Sequence, residues 1–133
     1  MMMTKPAPVL ITVYDRSEHL RRTVEALSRN SLAEETTVYI ASDAPKDETS
    51  EEKVELVRQY IYSIESFKRT IPLIRDKNVG GRENARLGWE EIWARHDRAI
   101  RMEDDIVTGR VFLRFINDVL DKFCNYENVY GIS

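Results

Sequence analysis

The sequence has a single cysteine, Cys124, among 133 residues, which rules out an internal disulfide and any zinc site built on several cysteines. Histidine is almost as scarce: His19 and His96 lie far apart on predicted helices and read as surface or helix-end side chains. No apolar run approaches the ~18 residues of a membrane span, and Met1 to Pro8 lacks the long apolar stretch of a secretory signal. Neither sign of charge dominates, since 20 Lys+Arg against 23 Asp+Glu leave a net charge of −3. That balance argues against a domain built to hold duplex nucleic acid. There is no internal repeat, low-complexity tract or linker. What remains is 42% hydrophobic and 32% charged, the composition of one globular domain in a reducing, cytoplasmic setting.

The apolar pattern switches between strand and helix periods. Residues 1–7 read as a tail, and 8–133 as the domain. Val9 to Tyr14 is a β-branched run suited to a strand buried on both faces. Asp15 and Glu18 form a variant capping box before Leu20, Val24 and Leu27. Thr37 to Ala41 is a second strand broken by Ser42-Asp43-Ala44-Pro45, and Thr49 with Glu52 predicts a cap for the helix bearing Val54, Val57, Ile61 and Ile64. Ile71 to Ile74 is a third strand, placed at an edge by Pro72, which has no amide donor. After the Asp76–Gly81 loop comes a helix with Ala85, Trp89 and Ile92 inward, then a fourth strand at Ala99 to Met102. Thr108 is the predicted cap of a last helix carrying Phe112, Phe115, Ile116, Val119 and Phe123, with Cys124 a core or subsurface thiol. Asn128 to Ser133 reads as a fifth strand. Alternation of this kind implies an α/β fold, a mostly parallel sheet with helices on both faces.

In such sheets ligands bind beyond the carboxyl ends of the strands. Asp15, Asp43 and Glu103-Asp104-Asp105 all fall there. Three successive acids repel unless a cation or donors offset them, and a hard divalent ion bridging phosphates would do so. A solvated acidic turn is the plainer alternative. Arg16, beside the first strand's end, suits a phosphate or base contact as well as a surface charge. The Asn78-Val79-Gly80-Gly81 loop opens a helix but has neither P-loop nor dinucleotide spacing, and reads as a tight turn. Trp89 and Trp93, at i and i+4, read as core packing.

The order "PVLITVYDRSEHLRRTVEAL", "YIASDAPKDET", "IRDKNVGGRENARLGWEEI", "RAIRMEDDIVTGRVFLRFINDVL" and "VYGIS" resembles nucleotide-sugar glycosyltransferases of the GT-A fold, in the branch of N-acetylglucosaminyltransferase I and its bacterial relatives. The resemblance implies a UDP-sugar donor, an acceptor that it does not identify, and inverting transfer to a hydroxyl. It places Arg16 and Asp43 on the nucleotide, with Asp43 on the uracil and Arg75 nearby. It makes "EDD" the counterpart of the family's DxD motif: Glu103 on the donor sugar, Asp104 on the ribose, Asp105 on a Mn²⁺ or Mg²⁺ that bridges the diphosphate. Ala44 stands where the family often has Gly. Relatives continue past the segment ending at Ser133, and their acceptor site and catalytic base lie in that continuation. The expectation is therefore an N-terminal donor-binding part, with no base assigned and self-association through an exposed sheet edge or core face. Two rival readings are a non-catalytic nucleotide-binding or regulatory module, and a receiver-like signalling domain.

Overall fold

The computed structural model describes residues 5–124. Strands and helices alternate: β1 (Val9–Val13), α1 (Ser17–Ser28), β2 (Thr37–Ser42), α2 (Glu51–Ser63), β3 (Arg69–Ile74), α3 (Gly81–Trp93), β4 (Ile100–Glu103) and α4 (Phe112–Phe123). The four strands form one parallel sheet in the order β3-β2-β1-β4. Pro72 sits on β3, at the edge, where its missing donor costs no ladder bond. The fifth strand expected at 128–133 lies outside the described residues.

Strand side chains alternate between faces, so each strand feeds two cores. Val9, Ile11, Val13, Val38, Ile40, Ile100 and Met102 meet α1, α2 and α4 through Leu20, Val24, Leu27, Val57, Ile61 and Leu113. Leu10, Tyr39 and Ala41 point the other way and meet Ile92 of α3, with Trp89, Ile71 and Leu73 at the margin. One helix thus covers one face and three cover the other. A receiver-like domain has the order 2-1-3-4-5, with β3 beside β1. Here β3 lies outside β2, which removes that reading.

Local capping is where the sequence pattern misleads. α1 begins at Ser17 after Arg16 with no side-chain cap, because Asp15 faces the cleft described below. Ahead of α2, Asp47 accepts from the Thr49 amide at 3.0 Å and closes a short 3₁₀ turn, Glu48–Ser50, so the Thr49–Glu52 box does not form. Thr108 accepts a bond from Asn30 Nδ2 instead of capping α4. The Leu113 amide donates to Asn30 Oδ1 at 2.9 Å, so the helix's free donor is met from 83 residues away. This sets α4 with Leu113 and Asn117 inward and Phe115 63% exposed, contrary to the expected face. Cys124 is exposed rather than subsurface. Trp89 is partly buried and stacks on Trp93 with centroids 5.1 Å apart, but Trp93 is half exposed. Among the described residues no helix is long and apolar enough to cross a membrane.

α3 approaches the sheet closely because Gly88 has no side chain: a Cβ there would meet both terminal methyls of buried Leu10 at 3.0 Å. Gly88→Val should cost about 1–3 kcal/mol by overpacking, read as a shift in the urea midpoint. Combining it with Leu10→Ala should cost less than the sum of the two single changes, since one makes the room the other needs.

Candidate functional site

The sheet order reverses direction between β1 and β4: the chain steps outward from β1 through β2 to β3, then returns to β1's other side. Such a switch point opens a crevice at the strands' carboxyl ends. An open cleft of about 690 Å³ lies there, lined by the β1 end (Thr12 to Arg16), Asp43 and Lys46 after β2, the loop and first turn of α3, and Arg101, Glu103 and Asp104 of β4.

Arg16 and Asp104 close the switch point. Arg16 donates from Nη2 to Asp104 Oδ1 at 2.5 Å and from Nε to Oδ2 at 3.2 Å, a bidentate fork. The Asp104 side chain is 8% exposed, whereas that of Arg16 is 47% exposed. The Asp104 backbone carbonyl accepts from Thr23 Oγ1 at 2.7 Å, which ties the turn after β4 to α1. The bond and charge of Asp104 raise the guanidinium pKa above its already high ordinary value, with smaller contributions from Asp105 and Asp15. Asp105 is 47% exposed, at the cleft's mouth, with its carboxylate 3.9 Å from Arg16 Nη2. Glu103 lines the cleft beside Arg101, 4.0 Å away.

Asp43 is 3% exposed and its carboxylate takes four donors. Oδ1 accepts the amides of Ala44 at 2.9 Å and Val79 at 3.0 Å; Oδ2 accepts the Gly80 amide at 2.9 Å and Asn78 Nδ2 at 3.3 Å. The loop that read as a plain turn therefore does present its amides to an anion, and the anion is the chain's own. Gly80, at φ +87, supplies the left-handed residue that the approach into α3 requires.

Arg75 does not line the cleft. Its Nε donates to Asn84 Oδ1 at 2.8 Å and its Nη1 to Glu91 at 2.8 Å. Asn84 in turn donates to the Ala41 carbonyl at 2.9 Å, anchoring α3 to β2. Arg58 of α2 braces the same edge, donating to Ser42 Oγ, Asp43 O and Arg75 O. Sequence reasoning singled out Arg16, Asp43, Glu103, Asp104 and Asp105, which the fold gathers at one end of the sheet. It missed Lys46, Arg82, Asn84 and Arg101, which line the cleft without belonging to a run or a recognisable spacing. His96 accepts or shares a proton with Tyr39 Oη at 3.0 Å, beside Lys5 and Pro6 and away from the cleft.

The donor set bears on a divalent ion. Among the described residues no three His, Cys, Asp or Glu side chains converge on one point. Asp104 has both oxygens engaged, which leaves the exposed carboxylates of Asp105 and Glu103. One or two carboxylates are too few for a protein-only cage, but they are what an ion carried in by phosphates needs.

The architecture is that of the N-terminal part of a GT-A fold, with its parallel sheet in the order 3-2-1-4. No family model and no curated protein sequence matches the chain. In three dimensions it is similar to S. aureus TarS, a GT-A glycosyltransferase, with a TM-score of 0.66 over 96% of this chain at 14% identity. The chain spans 23% of the length of TarS. At that identity the likeness carries the fold.

The two neighbouring acids should respond differently to loss of charge. Asp104→Asn disrupts a bidentate, charge-assisted contact and should cost about 1–2 kcal/mol, a value reduced for the half-exposed arginine. Asp105→Asn should stay within about 0.5 kcal/mol of wild type. Urea unfolding of both variants at low salt makes the comparison.

Proposed function

We propose that the chain is the donor-binding part of a metal-dependent, inverting glycosyltransferase that uses a UDP-sugar. The observation that carries this reading is the convergence of three strand ends on one cleft at the sheet's switch point, lined by Arg16, with the exposed carboxylates of Glu103 and Asp105 beside it. A bare acidic crevice would reject a diphosphate; this one satisfies its two buried acids, Asp43 and Asp104, internally and adds Lys46, Arg82 and Arg101.

The resemblance supplies the roles, and exposure is compatible with them. Arg16, held by Asp104, keeps part of its guanidinium open to the diphosphate; Asp104 sits where the ribose would pass. Asp43 and the 78–80 loop form the base end. Glu103 faces the donor sugar, and Asp105 is the carboxylate that would hold Mn²⁺ or Mg²⁺ against the diphosphate. When bound, that ion would neutralise the leaving diphosphate and ease its departure. Arg75 serves the site through Asn84, as a brace for α3. Direct displacement at the anomeric carbon also needs a base near the acceptor hydroxyl, and no residue of the described cleft is assigned that role.

Calorimetric titration of UDP tests the reading. The wild-type chain should bind UDP at least about tenfold more tightly with Mn²⁺ than without, and Asp105→Ala should lose that difference while staying folded. A folded chain that binds no UDP in the presence of Mn²⁺ would overturn it.

A further inference from the structure

The two edges of the sheet differ. β3 carries Pro72, whose missing donor blunts that edge, while β4 has no proline and keeps an unbroken register with β1. Among the described residues β1 is the one neighbour of β4. The Ile100 amide donates to the Pro8 carbonyl at 2.9 Å, so Ile100 and Met102 direct their backbone groups at β1, and those of Arg101 and Glu103 point outward. The side chains of Arg101 and Glu103 are exposed, at 42% and 60%, and Arg101 borders an open hollow of about 380 Å³ against Arg82, Ala85, Arg86 and Trp89 of α3. Apolar exposure gathers in the segment that follows: Ile106, Val107, Val111 and Phe115 make up half of the large apolar side chains left exposed among the described residues.

We propose that β4 pairs antiparallel with β4 of a second copy, centred on Met102. A two-fold contact sets a strand against itself in reverse. Centring on Met102 places Arg101 opposite Glu103 of the second copy, and Glu103 opposite its Arg101. These are the residues whose amides and carbonyls face outward, so both pairs are of the hydrogen-bonded kind and four ladder bonds close. Centring on Arg101 or on Glu103 would instead set like charges face to face. Within one chain Arg101 and Glu103 meet only at 4.0 Å, the limit of an ion pair. Directly opposed cross-strand side chains start from Cβ atoms ~5 Å apart, closer than the ~6.6 Å between alternate residues of one strand. The charges therefore select the register, and the self-association expected from the sequence acquires one edge and one pairing.

The test is sedimentation velocity on ligand-free protein, since both side chains also line the cleft. A four-residue strand makes a small, weak interface, so protein is raised to about 0.5 mM at low salt. A reductant is present because Cys124 is exposed. Wild type, Arg101→Glu, Glu103→Arg and the double exchange Arg101→Glu/Glu103→Arg are compared, with circular dichroism confirming that each is folded. Wild type should form dimers, and each single reversal should weaken them at least about tenfold, because the symmetry turns two attractive pairs into two repulsive ones. The double exchange should restore the dimer. So should a one-to-one mixture of the two single variants, in which every reversed position faces an unlike charge. Wild type that stays monomeric under these conditions would overturn the proposal. Dimers indifferent to either reversal would overturn it too, by placing the contact elsewhere. Single variants that dissociate, with neither the double exchange nor the mixture recovering, would overturn the register.

Discussion

A carboxylate removed from water must be given donors, and this cleft is organised around two that have been. Asp104 receives the fork of Arg16, and Asp43 receives three backbone amides and the Asn78 carboxamide. Apart from the adjacent Ala44 amide, these bonds join segments distant in sequence: Arg16 to Asp104 spans 88 positions, and Gly80 to Asp43 spans 37. The two buried carboxylates tie these loops down, since a charge left unpaired out of water is costly. Exposed Asp105 follows directly on Asp104, whose backbone is pinned to α1 by Thr23, while Glu103 is held at the end of β4 opposite Thr12.

The sheet sets where these clasps can form. Parallel strands send every carboxyl end to the same side, so Asp15, Asp43 and Glu103 converge without any local signal beyond strand length. α3 then has to lie close enough to the sheet for its first turn to reach Asp43. Gly88 against Leu10 allows that approach, and Asn84, held by Arg75, fixes its height over β2. Arg58 reaches across from the other helical layer to the ends of β2 and β3. The Asp43 end of the cleft is thus braced from both faces of the sheet.

Much of this was readable in the chain. The β-branched run at Val9, the alternation with helices and Pro72 gave the parallel sheet and one of its edges, and the acids at strand ends gave the cleft's location. What escaped depends on partners that no local window contains. Thr108 has the chemistry of a cap, yet Asn30, at the far end of α1, takes that task for α4 and turns Phe115 outward. Arg75 entered only through the resemblance, and the fold shows Asn84 and Glu91 occupying its guanidinium. Lys46, Arg82 and Arg101 are ordinary surface charges until the sheet order brings them to one cleft.

The mixed lining has an electrostatic consequence. Asp15, Asp43, Glu103 and Asp104 face Arg16, Lys46, Arg82 and Arg101 in the cleft lining, with Asp105 just outside. The balance is close to neutral overall but uneven in depth: Asp43 and Asp104 are satisfied from within, while Asp105 and Glu103 stay open at the rim. An anion alone would gain from the basic side chains and lose at the rim; a cation alone would meet Arg16 less than 4 Å from its best carboxylate. An anion and a cation entering together satisfy both halves, since each screens the other from the like charges it must pass. A ligand that carries its own counter-ion would suit such a lining, and under the proposed function a metal-bridged diphosphate is the simplest chemical form of that ligand.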